Sequence, residues 1–271
     1  MAVVRRGFAA LALACLVTPG TGLAQVKPDA GITIGRQMLA DDNPGELWIE
    51  QGKTLFHQKR GPKSASLEQC DFGLGAGKLE GASVRLPRYF SDTDRVQDLE
   101  SRLVTCMVEL QGFKRDDIVA RAISPAGSNG SDIEALALYI TSRSNGMKMS
   151  VSLDHPKEQE MYMAGEYLFF RRSGQTDFSC LQCHGDADKR IRLQDLVHMT
   201  SKKGVQEVVV TWPAYRGAHF VVRTMQWRLY DCFWQMRLPE LAYASDVSIA
   251  LTTYLHYQGN GAVIKVPGFK R

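Results

Sequence analysis

Cys180-Leu181-Gln182-Cys183-His184 restricts this chain more than any other stretch of its 271 residues. Two thiols separated by two residues present both sulfurs to one edge of a planar ring, and a histidine directly after the second is held beneath that ring. The spacing is that of a covalently attached c-type haem, with thioethers from Cys180 and Cys183 and the proximal iron bond from His184. A zinc knuckle would want a second pair of ligands at similar spacing, and the sequence has none. A dithiol of the thioredoxin kind needs no histidine at that place.

The flanks agree with the motif. Gly165 and Phe169 sit on a helical pattern just upstream, and Leu251, Tyr254 and Leu255 lie on an aromatic-rich helix late in the chain. Glycine lets two helices cross closely and aromatics fill the crossing, which is the cytochrome c pattern.

Self-similarity then changes the scale of the reading. Gly52, Leu55, Phe56, Gly61, Gln69 and Cys70 recur 113 positions on as Gly165, Leu168, Phe169, Gly174, Gln182 and Cys183. Pro87, Tyr89, Arg102, Leu103 and Cys106 recur 126 positions on as Pro213, Tyr215, Arg228, Leu229 and Cys232. Ser131-Asp132 returns as Ser245-Asp246, and Asn145-Gly146 as Asn260-Gly261. The expected fold is mainly α, two tandem cytochrome c-like domains over 25–150 and 151–271, joined near Met147 to Pro156. In the first copy Leu67 stands for Cys180 and Asp71 for His184, so one thioether and the proximal ligand are missing and that domain is expected to be haemless, leaving one covalent haem c in the chain. Without haem, Cys70 and Cys106 would approach across a collapsed pocket and form a disulfide, typically worth roughly 2–4 kcal/mol; two free buried thiols are the alternative.

The N-terminus reads as an export signal removed after Ala24. Arg5 and Arg6 are its basic start, Phe8 to Val17 is apolar and Pro19-Gly20 ends the run, which is too short to span a bilayer. Arg5-Arg6-Gly7-Phe8 also has a twin-arginine look, and Cys15 a faint lipoprotein one. No later segment is apolar enough for a membrane helix, so a soluble periplasmic protein is expected. The net charge of +4, two units of it in the signal, and the lack of a dense basic run with aromatics give no reason to expect nucleic acid.

Cleavage removes Cys15, and Cys232 becomes the odd cysteine. It lies in Met225–Arg237, an apolar, aromatic-rich stretch that reads as a helix lining the far side of the haem. Methionine is the usual sixth ligand, so Met199, Met225 and Met236 compete with Cys232, while His198, His219 and His256 are weaker candidates. A thiolate would lower the haem potential by stabilising ferric iron. Arg228, four residues before Cys232, shares its helix face, where a guanidinium would depress the thiol pKa and hold a small oxyanion. The first copy keeps the same pair as Arg102 and Cys106, so the spacing also fits an inherited structural role.

The tandem domains, Ser179-Cys180-Leu181-Gln182-Cys183-His184-Gly185, and Arg228-x-x-x-Cys232-Phe-Trp-Gln-Met-Arg237 together resemble the SoxA family over essentially the whole mature chain. SoxA is the larger cytochrome subunit of the periplasmic SoxAX complex of sulfur-oxidising bacteria. The resemblance is to its one-haem branch, in which the equivalents of Cys70 and Cys106 form a disulfide. It implies axial ligation by His184 and Cys232, Cys232 as the active-site cysteine, often a persulfide, and Arg228 as a positive group facing the substrate channel. The implied activity is that of an L-cysteine S-thiosulfotransferase: thiosulfate is conjugated oxidatively to a cysteine of a SoxYZ-like carrier, and a SoxX-like monohaem cytochrome is the heterodimer partner that takes the electrons. A plain electron-carrying cytochrome is the competing reading.

Overall fold

In the computed structural model, residues 42–191 and 194–271 are described; the export signal and Cys15 lie outside them. Nine helices carry the described residues, with three small sheets between them. In chain order these are α1 (Glu46–His57), β1 (Arg88–Phe90), β2 (Arg95–Gln97), α2 (Leu99–Glu109), α3 (Arg115–Val119), α4 (Asp132–Ser142), α5 (Pro156–Phe170), α6 (Cys180–His184), β3 (Arg190–Ile191), β4 (Gln194–Asp195), α7 (Lys202–Val209), β5 (Ala214–Arg216), β6 (Val221–Arg223), α8 (Met225–Gln235), α9 (Asp246–Gln258) and β7 (Gly268–Lys270).

Local chemistry sets the helix starts. Asp98, Ser131, Thr224 and Ser245 each stand in extended backbone and accept a backbone N–H from the first turn of α2, α4, α8 and α9. Pro156 opens α5, where its missing N–H costs nothing.

Each copy is built on one close helix crossing. α1 crosses α4 at Gly52, where an added Cβ would lie 2.1 Å from the Ala135 carbonyl oxygen and 2.7 Å from Tyr139 Cβ. α5 crosses α9 at Gly165, where the same distances are 2.0 Å to Ala250 O and 2.8 Å to Tyr254 Cβ. Only glycine permits either approach. The correspondence extends to detail. The hairpin β1–β2 and the hairpin β5–β6 have the same register 126 positions apart, and each follows a cis X-Pro bond, Leu86-Pro87 and Trp212-Pro213. Two hydrophobic cores result, one around Phe56, Leu67, Phe72 and Leu103, the other around Phe169, Trp227, Leu251 and Tyr254.

Val151 follows Asn145 by six residues as Val266 follows Asn260, so in the repeat it is the tail of the first copy, although the domain boundary drawn after residue 150 falls just before it, and by these tails the copies hold each other reciprocally. Asn145 Nδ2 donates to Val266 O and its Oδ1 accepts from Val266 N, at 2.7 and 2.8 Å; Asn260 makes the same two bonds with Val151, at 2.9 and 2.8 Å. Between them a buried ion pair joins Arg223 Nη1 of β6 to Glu134 Oε1 of α4 at 2.7 Å, and Ser124 and the Ser131 N–H fill the other carboxylate oxygen.

Candidate functional site

The site is a cavity of about 230 Å³ between α6 and α8. Cys180, Cys183 and His184 line one side of it, and Arg228, Leu229 and Cys232 of α8, with Met236 at its C-terminal cap, line another. Those α8 positions recur at helical spacing, so one stripe of the helix faces the cavity while Tyr230 and Trp234 on the other face are exposed. Phe169, Trp212, Leu251 and Leu255 supply apolar walls. Ile191, Leu196, Val197 and Met199 also line it, and they lie between the motif and the cis-proline, where the second copy is 13 residues longer than the first.

The residues suit a haem. His184 Nδ1 lies 2.8 Å from the Val197 carbonyl oxygen, to which it donates, and this leaves the Nε2 lone pair free to bind a metal. Burial, ahead of the Arg228 charge, holds His184 below its ordinary pKa and keeps the imidazole neutral. Among the described residues no three His, Cys, Asp or Glu side chains are grouped to chelate a bare ion. Burial also pushes the Cys180 thiol up to about 12, far from the range of a reactive dithiol.

The candidates for the sixth position separate. His198, His219 and His256 are absent from the cavity lining; His256 is tied to Leu86 O at 3.0 Å and His198 to Thr200 at 2.6 Å. Met199, Met225 and Met236 line it along with Cys232. The Met199 backbone is bonded to His184 O at 2.8 Å, on the histidine's own side.

One expectation is corrected. Arg228 lowers the Cys232 thiol pKa, but burial outweighs it and the Asp231 carboxylate adds to burial, so the thiol is raised. Arg228 Nη1 donates to Asp231 Oδ2 at 2.7 Å, and Gln235 Nε2 donates to the same oxygen at 2.7 Å. Part of the guanidinium's charge is spent on that carboxylate.

In the first copy the corresponding space is filled. Leu67 and Phe72 are wholly buried, and Cys70 and Cys106 are bonded as a disulfide with Cα atoms 5.7 Å apart. Asp71, at the place of His184, accepts the Gly73 and Gly75 N–H groups at 2.6 and 2.8 Å and acts as a loop brace.

A functional candidate that motif reading missed is Arg216. It lines the cavity with Arg228 and Cys232, and its guanidinium lies 5.3 Å from the Trp227 ring centroid. The signal was present in the repeat, where Arg216 stands at the position of Phe90.

The family described as SoxA/TsdA, cytochrome c domain, matches residues 51–149 and 164–264. A relative named L-cysteine S-thiosulfotransferase subunit SoxA, from Hydrogenophilus thermoluteolus, is 46% identical over 238 residues, which cover 87% of this chain and 86% of the relative. One of the same name from Hydrogenobacter thermophilus is 37% identical over 229 residues, 83% of each chain. The crystal structure of SoxXA from P. pantotrophus superposes with a TM-score of 0.71 at 22% identity, covering 88% of this chain and 84% of that one, a likeness of fold.

Proposed function

This chain belongs to the SoxA/TsdA cytochrome c domain family, and from that premise we propose that it is the cytochrome subunit of an L-cysteine S-thiosulfotransferase, conjugating thiosulfate to a carrier-protein cysteine. The observation that carries this reading is that Arg228 and Cys232 line the same cavity as Cys180, Cys183 and His184. A sulfur nucleophile, a cation and an electron outlet then share one space.

Cys180 and Cys183 would hold a single haem c covalently, and His184 would ligate its iron, with Cys232 the favoured second residue to bind it. When bound, the haem supplies a place for electrons to leave. The overall reaction joins the terminal sulfur of thiosulfate to a carrier cysteine thiol, forming one S–S bond and releasing one proton and two electrons to one-electron acceptors. Arg228 supplies counter-charge to the dianion. Cys232, as thiol or persulfide, would first form an S–S bond to the terminal sulfur of thiosulfate with loss of the proton and two electrons, and the carrier thiolate would then attack that sulfur, forming its own S–S bond as the bond to Cys232 breaks and Cys232 leaves as thiolate. The apolar walls from Phe169, Leu251 and Leu255 limit water at the sulfur.

The first copy is read as haemless on the strength of Leu67, Asp71 and the Cys70–Cys106 bond, with 25–150 and 151–271 as the two domains. Export to the periplasm through the signal before Ala24, pairing with a SoxX-like cytochrome and transfer to a SoxYZ-like carrier complete the proposal. No helix among the described residues is long and apolar enough to cross a membrane.

Cys232→Ala in the holoprotein should abolish thiosulfate-dependent turnover and change the ferric haem spectrum; full activity in that variant would sink the reading. Because three methionines also line the cavity, a plain electron carrier is the second reading. It requires a Met–iron charge-transfer band in the ferric spectrum that disappears in Met236→Leu.

A further inference from the structure

Arg102 and Arg228 occupy the same place in the two copies, one turn before a cysteine, but their surroundings differ. Arg102 is fully engaged. Its Nε donates to Asp71 O at 2.7 Å, its Nη1 to Asp92 Oδ1 at 2.9 Å, and the guanidinium lies 4.1 Å from the Phe90 ring centroid. At the 126-residue shift Phe90 becomes Arg216 and Asp92 becomes Ala218. A stacking ring has been exchanged for a second guanidinium, and a neutralising carboxylate for a methyl group.

The first exchange adds positive charge at the cavity; the second is offset by Asp231, which stands where the first copy has Thr105 and pairs with Arg228 at 2.7 Å. Arg216 and Arg228 line it beside Cys232, and Lys270, paired with Arg216 across β5 and β7, lines it too. One carboxylate, Asp195, also lines the cavity, and it is engaged with Arg190 at 3.0 Å. Arg216 Nε is buried and has no hydrogen-bond partner. A guanidinium N–H shut away from water without an acceptor is costly, and it is satisfied when an anion arrives.

We propose that Arg216 and Arg228 form a two-guanidinium seat for a small dianion, Arg216 binding the sulfonate oxygens of thiosulfate so that its terminal sulfur is presented to Cys232. The proposal deepens the thiosulfate reading and rests on it for the identity of the ligand. Arg216 adds its charge to what Asp231 leaves of that of Arg228, against the two charges of the anion, and a planar fork matches its oxygens. Trp227, against the Arg216 guanidinium, holds the fork in place.

The test uses the holoprotein in complex with its electron-accepting cytochrome. KM and kcat for thiosulfate, and inhibition by sulfate and by nitrate, are measured for the parent, Arg216→Gln, Arg216→Lys and Arg216→Phe. The last restores the residue that the first copy tolerates at this place and stands in if the glutamine variant folds poorly. Loss of one charge-assisted contact predicts a KM higher by about 10- to 100-fold for R216Q and R216F, with sulfate inhibition weakened in step, nitrate inhibition unmoved and kcat changed less than about threefold. R216K should recover most of the loss. A KM within about twofold of the parent, or equal weakening of sulfate and nitrate inhibition, overturns the seat. Calorimetric titration of the parent and R216Q with sulfate separates the two claims. Sulfate binding that depends on Arg216, in a protein that does not turn over thiosulfate, keeps the seat and refutes the function. Thiosulfate turnover with sulfate affinity unchanged in R216Q keeps the function and refutes the seat.

Discussion

Replacing Gly165 with alanine tests whether the α5–α9 crossing sets the shape of the haem cavity. The new Cβ would lie 2.0 Å from Ala250 O, 2.6 Å from Ala250 C and 2.8 Å from Tyr254 Cβ, where ordinary contact begins near 3.4 Å. The first two obstacles are backbone, so rotamer changes cannot relieve them and α9 must retreat by about an ångström. Overpacking of this kind costs about 3 kcal/mol at the upper end of its usual range. Alanine returns about 1 kcal/mol of helix propensity, for a net loss of about 2 kcal/mol. In a chain of this size that lowers the melting temperature by about 4–8 °C. Leu251 and Leu255 ride on α9 and line the cavity, so the ferric Soret band should shift as well. Gly52→Ala makes the equivalent clash, 2.1 Å from Ala135 O, in the copy where Leu67 and Phe72 are wholly buried at the matching place. It should lower the melting temperature similarly and leave the Soret band unmoved. Thermal unfolding of both holoproteins, followed by far-ultraviolet circular dichroism and by Soret absorbance, reads both effects. A G165A protein as stable as the parent, or equal Soret shifts in the two variants, refutes the reasoning.

The Cys70–Cys106 bond closes a separation of 36 residues, which on chain entropy is worth about 4 kcal/mol; the double alanine variant should lose that much in a urea melt while keeping one haem per chain, and a loss below about 1 kcal/mol would count against the bond as a replacement for haem packing. Glu134→Ala leaves Arg223, 3% exposed, as an uncompensated buried charge and should cost about 3–5 kcal/mol; a stability near the parent's would show the ion pair to be idle. Burial, with Asp98 adding to it, pushes the Glu100 carboxyl up to about 8 from an ordinary 4.5. A carboxyl raised in the folded state stabilises it fully below about pH 4.5, and that contribution is lost as the pH climbs through 8, to a total of about 5 kcal/mol. Glu100→Gln, which does not titrate, should therefore gain on the parent between pH 5 and pH 8 in denaturant titrations; a difference constant across that range would refute it.

The sequence spoke clearly where a single residue type is the only solution. Cys180, Cys183 and His184 announce their chemistry by spacing, and Gly52 and Gly165 mark crossings that nothing larger permits. Copying those marks along the chain revealed the duplication and located the cavity. What stayed hidden depends on contacts between distant residues. Arg223 and Glu134 are 89 residues apart, and nothing local in either names the other. β1, β2, β5, β6 and β7 are three residues each, too short to show a two-residue period. The Cys232 thiol was misjudged because helix spacing displays Arg228 but not the burial around the sulfur or the Asp231 that occupies the guanidinium. Arg216 sits on a strand outside any motif, and only its contrast with Phe90 betrays it.

The reciprocal Asn145 and Asn260 brackets have a consequence for how the two halves diverged. Contacts of this self-complementary kind are those by which identical subunits close into a twofold pair; here they close within one polypeptide. Each half lends the other the segment that finishes its surface, so neither is dispensable to the scaffold. A copy with Leu67 and Asp71 where the other has Cys180 and His184 still serves as the counterpart. Symmetry in the frame thus lets the two halves carry different side chains at matching places.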